Sequence, residues 1–227
     1  MFYRIFTVYC AAVFMFATAA WSDPLPSWSD GPAKERIVSF IETVTDPDAE
    51  QFVPAAERIA VFDNDGTLWA EQPIYFQLIF ALDEVARRAK DDPSVLTSDA
   101  LRASAKGDLK GVMAGGKAGL AEILKVSHSG IDVDTFQAHV NDWLASARHP
   151  SKGMAYERMT YQPMVELLRY LRDDGFSTWI VSGGGLHFIR AFADRAYGIP
   201  PQQVIGSSVV TSYQVTENGP KIMARRS

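Results

Sequence analysis

Two carboxylates stand two residues apart in Asp63-Asn64-Asp65-Gly66-Thr67. They follow Arg58-Ile59-Ala60-Val61-Phe62, a short apolar run that reads as a buried strand feeding a polar turn. In an open α/β sheet, ligand crevices form at the C-terminal ends of strands. Gly66 lets the chain turn sharply there. Acids held close together repel, and a divalent cation relieves that cost. Hard oxygen donors favour Mg²⁺. A metal-bound carboxylate facing a phosphoryl group can attack it, and a neighbouring carboxylate can carry a proton to the leaving group. Asp63 and Asp65 are therefore candidate catalytic residues and candidate metal ligands. A solvated Asp/Asn/Gly turn is the plainer reading, and the preceding strand and the following Thr67-Leu68 argue against it.

A second apolar run, Phe176 to Val181, ends at Ser182-Gly183-Gly184-Gly185, and the residues from Leu186 to Tyr197 have a helical pattern. Alone this is a glycine-rich strand-to-helix turn. A dinucleotide fingerprint fails because position 188 is Phe. Paired with Asp63–Thr67, it resembles the haloacid dehalogenase-like superfamily, in its phosphatase branch. The first motif of that superfamily is Asp-x-Asp-x-Thr after an apolar strand, and the second is a Ser or Thr ending the next core strand. The resemblance implies that Asp63 attacks phosphorus to form an aspartyl-phosphate. It implies that Asp65 protonates the leaving oxygen and later activates water, and that Thr67 orients this acid/base group. Mg²⁺ would be held by the Asp63 carboxylate and the Asp65 main-chain carbonyl. Ser182, Gly183 and Gly184 would bind the phosphoryl group of a small phosphorylated substrate.

Other pieces of the family pattern are less well matched. A Lys or Arg should neutralise nucleophile and phosphate. Lys221 is the best-placed candidate, with Arg190 and Arg225 as fallbacks; the plainer reading of Lys221 is an exposed hairpin lysine. No acidic pair follows a buried strand after Ser182, so the fourth motif is missing from the sequence. The strand at Ile59–Phe62 should then be a sheet edge with unpaired amides. The expectation is a C-terminally shortened phosphatase with weakened metal affinity and turnover. Glu71 lies near the place where phosphoserine phosphatases read the substrate amine; helix N-terminal charge is its plainer role. A non-catalytic remnant that binds phospho-ligands or a partner is the main rival. A transferase or dehalogenase with the same nucleophile is a third reading, and Asp65 argues against the dehalogenase.

These residues need a scaffold. The chain has 227 residues, 47% hydrophobic and 22% charged, which suits a globular protein with a real core. Its formal net charge of −5, with no long basic run, argues against nucleic-acid binding. The single cysteine, Cys10, excludes a disulfide framework or zinc ribbon. Residues 1–20 read as a signal peptide: Arg4, an apolar run from Ile5 to Phe16, then Ala17-Thr18-Ala19-Ala20. That run is too short for a membrane anchor, so a periplasmic or secreted protein is expected. Helical spacing recurs around 32–45, and again at 73–90, 118–126 and 133–147, with no strand pattern between 73 and 147. The predicted fold is therefore α/β: a Rossmann-like parallel sheet core (21–72 and 150–227) with a helical cap (73–149) inserted after the first strand. Gly111 to Ala118 nearly spells a phosphate-binding P-loop, but Ala118 replaces the needed hydroxyl and no strand precedes it. The four histidines share no metal-ligand spacing, and no serine sits in a G-x-S-x-G motif.

Overall fold

The computed structural model describes residues 23–225. The predicted signal peptide lies outside the described residues. Three short strands, β1 (Ile59–Phe62), β2 (Ser177–Gly185) and β3 (Val204–Ser207), form a parallel sheet in the order β1-β2-β3. Ile59 pairs with Ser177 and Phe62 with Ile180, so the ends of β1 and β2 that carry the two motifs lie side by side. β1 is a sheet edge, as expected from the absence of a further strand on that side.

Helix α1 (Pro32–Thr45) precedes the sheet. Proline stands in its first turn and Asp46 ends it. Between β1 and β2 the chain is helical: α2 (Phe76–Asp91), α3 (Asp99–Ala105), α4 (Leu109–Ala114), α5 (Gly116–His128), α6 (Val133–Ser146) and α7 (Gln162–Asp173). Side-chain caps start three of them. Ser98 accepts from the amide of Leu101, Asp108 from Gly111 and Asp132 from Thr135. The near P-loop at Gly111–Ala118 is the junction of α4 and α5, where a Cβ on Gly111 would lie 2.8 Å from that of Ala103 and one on Gly115 3.0 Å from that of Ala100. These two glycines serve close helix packing. Among the described residues, no helix is long and apolar enough to cross a membrane.

One aromatic core joins the sheet to the inserted helices. Trp69, Phe76, Phe80, Phe136, Trp143, Ile180, Phe188 and Phe192 belong to a single buried cluster. A second, smaller cluster (Leu82, Val85, Leu101, Val112 and Ile123) sits between α2, α3, α4 and α5. The packing therefore does not divide at residues 72/73 or 149/150, because α6 and the first half of α2 share their core with the sheet.

Three further expectations are corrected. The predicted helix 186–197 is two helices, α8 (Leu186–Arg190) and α9 (Ala193–Tyr197). The break lets Phe192 stack on Trp69 at 4.5 Å while Phe188 also stays buried. Ser182–Gly185 is the end of β2, with a register shift between Val181 and Gly185, and not a turn. Lastly, the hairpin β4 (Thr211–Thr216) and β5 (Gly219–Ala224) does not join the core sheet. It docks on the α5–α6 connection: the Gly130 amide donates to Ala224 O and the Ala224 amide to Ile131 O. The grouping of 150–227 with the sheet is wrong for this hairpin.

Candidate active site

The loop after β1 is organised by Asn64, which is 1% exposed. Its main-chain carbonyl accepts from the amides of Thr67, Leu68 and Trp69. Its side-chain oxygen accepts from the Tyr197 hydroxyl of α9 at 3.1 Å. Gly66 turns the chain at φ +71, where an L side chain would be strained. The result is a rigid platform that presents Asp63 at the surface, with one carboxylate oxygen accepting from the Asn64 amide at 2.7 Å.

Asp65 is half-buried. The Trp69 indole N–H donates to its Oδ1 at 2.7 Å. Trp69 is fully buried and clamped between Phe76 and Phe192, so this hydrogen bond fixes where the carboxylate points. Thr67 was expected to do this. Among the described residues its hydroxyl makes no hydrogen bond to Asp65, and Thr67 contributes its amide to the loop instead. Burial raises the pKa of Asp65 above the usual carboxylate value; the Trp69 hydrogen bond opposes this, and the charges of Asp63 and Glu71 add to the rise. A carboxyl kept protonated further up the pH scale is a better proton donor. Glu71 stands on the far side of Gly66, where a Cβ would lie 2.9 Å from its carboxyl carbon.

The end of β2 that carries the second motif meets the first at Gly184. A Cβ there would lie 3.4 Å from Ser182 Oγ and 3.5 Å from Asp65 Oδ2. The Gly184 amide donates to Ser182 Oγ at 3.1 Å, and Ser207 Oγ donates to Gly183 O at 2.9 Å. Asp63, Asp65, Glu71, Ser182, Gly183 and Gly184 all line one cleft of about 820 Å³. The structure thus brings together every predicted site residue except Thr67, held in the loop, and Lys221. Lys221 Nζ pairs with Asp132 at 3.3 Å and Asp134 at 3.4 Å, at the start of α6. It is not in the cleft lining, because its hairpin docks on the helices. The fallback Arg225 does line the cleft, as does Lys125 of α5. Arg190, the other fallback, donates to the main-chain oxygen of Val204 instead.

The helices also reach the second motif directly. The Gly185 amide donates to Gln77 Oε1 at 2.7 Å, and Gln77 Nε2 donates to His128 Nε2 at 3.0 Å. Ser127 Oγ donates to Ile123 O, so it accepts from His128 Nδ1–H at 2.7 Å. That chain fixes His128 as the neutral Nδ1–H tautomer. Burial, with the Arg88 charge adding, lowers its pKa to about 4. Gln77, Lys125 and His128 were missed from sequence. Only the helical spacing of Leu120, Ala121, Leu124, Lys125 and His128 along one face of α5 points to them.

No group of three or more His, Cys, Asp or Glu side chains is arranged around a metal site among the described residues. The donors that the first motif could offer a cation are the exposed Asp63 carboxylate and the Asp65 main-chain carbonyl. Such a hard, sparse oxygen set suits Mg²⁺, which keeps several waters and shares its shell with substrate phosphate oxygens.

A family model for haloacid dehalogenase-like hydrolases matches residues 60–222. The chain belongs to this family of hydrolases. The match starts inside β1 and runs through both motifs and the inserted helices into the hairpin. Among solved structures, a protein from Anaerococcus prevotii DSM 20548, described as conserved and functionally unknown, is similar at 14% identity and a TM-score of 0.49, covering 85% of this chain and 70% of that one. A phosphoserine phosphohydrolase-like protein from Francisella tularensis subsp. tularensis SCHU S4 is similar at 19% identity and a TM-score of 0.33. That similarity covers 71% of this chain, which spans 62% of the length of its relative. No curated protein matches the sequence.

Proposed function

We propose that this haloacid dehalogenase-like hydrolase is an exported phosphomonoesterase that works through an aspartyl-phosphate on Asp63. The observation that carries the reading is the pairing of an exposed Asp63 with a half-buried Asp65 in one cleft with Ser182 at the end of β2. An Asp63 carboxylate oxygen attacks phosphorus, and the bond from phosphorus to the ester oxygen breaks. Asp65, protonated, gives its proton to that leaving oxygen. Water then attacks the phosphorus of the acyl-phosphate while Asp65 takes its proton, which releases inorganic phosphate and restores Asp63. Burial, Asp63 and Glu71 all raise the pKa of Asp65, which favours its role as the acid.

Ser182 and the Gly183 amide suit the phosphoryl oxygens, and Arg225 or Lys125 supplies positive charge at the cleft wall. Mg²⁺, held by Asp63 and the Asp65 carbonyl, would shield the phosphoryl charge during transfer. Localisation outside the cytoplasm rests on the leader-like residues 1–20.

The test is hydrolysis of p-nitrophenyl phosphate with Mg²⁺. Wild-type activity should fall at least about a thousandfold in Asp63→Asn and on chelation. Equal rates in wild type and Asp63→Asn would refute the reading. The second reading, a phospho-ligand binder without turnover, is favoured because no group of three metal-ligating side chains gathers at the first motif among the described residues. Phosphate-ester binding with no hydrolysis, even at high Mg²⁺, would select it.

A further inference from the structure

The organic part of the substrate has its own wall. Beyond the two motifs, the cleft is lined by Leu78 of α2, by Leu120 and Leu124 of α5, and by Val209 and Val210 after β3. Leu78 and Leu120 pack against the small helical core, so this wall is fixed in shape. Leu124 is 42% exposed and Val210 64% exposed. They are apolar surface facing the same space as Asp63 and Ser182. Water in contact with such side chains is displaced favourably by an apolar group. The cleft, at about 820 Å³, holds far more than a phosphoryl group.

Recognition of an amino-acid phosphate would need charges aimed at an amine and a carboxylate. Apart from the two motif carboxylates, the acid in the lining is Glu71, whose carboxyl stands against Gly66 and close enough to Asp65 to raise its pKa. From this wall, and resting on the phosphomonoesterase reading above, we propose that the substrate is a phosphate monoester with an extended apolar organic part, such as a long alkyl chain. The phosphoryl group sits at Asp63 and Ser182, and the apolar part lies along Leu78, Leu120, Leu124 and Val210.

Two measurements separate this proposal from the reading it rests on. The first is calorimetric binding of ethyl-, butyl- and octylphosphonate, which share one head group and cannot be hydrolysed. Affinity should rise about fourfold per added methylene until the cleft is filled, as burial of each methylene in an apolar site requires. In Leu124→Asp, checked for fold by circular dichroism, the ratio of octyl to ethyl affinity should collapse toward one. In Val61→Lys, on the far face of the sheet, the ratio should persist, which excludes chance adsorption there. Equal affinities across the wild-type series, or a chain-length gain that survives in Leu124→Asp or vanishes in Val61→Lys, would overturn the proposal. The second is turnover of the matching alkyl phosphates. Chain-length-dependent binding without turnover would overturn the phosphomonoesterase reading and keep the ligand class. Turnover with no chain-length dependence would do the reverse.

Discussion

Asp63 and Asp65 differ in chemistry because one buried indole holds only one of them. The hydrogen bond from Trp69 to Asp65 favours the ionised carboxylate and works against burial. Trp69→Phe keeps an aromatic ring against Phe192 but removes that N–H. The pKa of Asp65 should then rise, and the proton donor should stay loaded to higher pH. The expected result is an alkaline limb of the kcat profile displaced upward, together with a lower kcat because the carboxyl is no longer aimed. An unchanged limb would mean that Asp65 is not the acid. The pairing of Asp63 with Asp65 is legible in sequence because a strand end followed by Asp-x-Asp-Gly-Thr leaves little conformational choice. The part played by Trp69 is not, since it depends on Phe76 and Phe192 arriving from distant segments to clamp the ring. Thr67 had the right residue type for the orienting role, but its backbone, and not its hydroxyl, was recruited.

Helices α2 and α5 meet the core sheet through Gln77 and His128. Neutral His128 accepts from Gln77, which in turn holds the Gly185 amide at the end of β2. The groups facing its ring electrostatically are Arg88, Glu84 and His187: burial, Arg88 and His187 all lower its pKa, and Glu84 opposes them. In the unfolded chain this histidine takes up a proton near pH 6.5, but in the fold only near pH 4. Its contribution to stability is therefore complete above pH 6.5 and is lost as pH falls toward 4, by on the order of 3 kcal/mol in total. Urea midpoints at about pH 7 and about pH 5 should drop further in wild type than in His128→Gln. Equal drops would show that the ring does not titrate with folding. The long helices α1, α2, α5 and α6 are legible from apolar spacing. The shorter α3 and α4 are not, because fewer than two full turns carry too little periodicity, and their boundaries are set by the caps of Ser98 and Asp108. The placing of Lys221 was illegible for a similar reason: a hairpin carries no local record of which surface it docks on, and its lysine found Asp132 and Asp134.

At the scale of the whole molecule, the described residues cover the sheet on one face only. Phe62, Ile180 and Val204 turn to the aromatic core, while Ile59, Val61, Val181 and Ile205 are 60%, 57%, 44% and 52% exposed on the other face. Parallel sheets are ordinarily buried on both faces, and β1 adds an open edge. An apolar patch of this kind drives self-association. The weight-average mass measured by light scattering should rise with the concentration of the purified chain, and Val61→Lys should suppress that rise without loss of helical circular dichroism. A weight-average mass that stays at the monomer value at every concentration in wild type would contradict this account of the sheet. The catalytic account makes a sharper demand, since turnover by the whole chain must pass through one side chain. Acid quench of the protein during hydrolysis of an alkyl phosphate, followed by peptide mass spectrometry, should find a phosphoryl group on Asp63 and none in Asp63→Asn. A phosphoryl group on Ser182 or His128, or turnover that persists in Asp63→Asn, would contradict it.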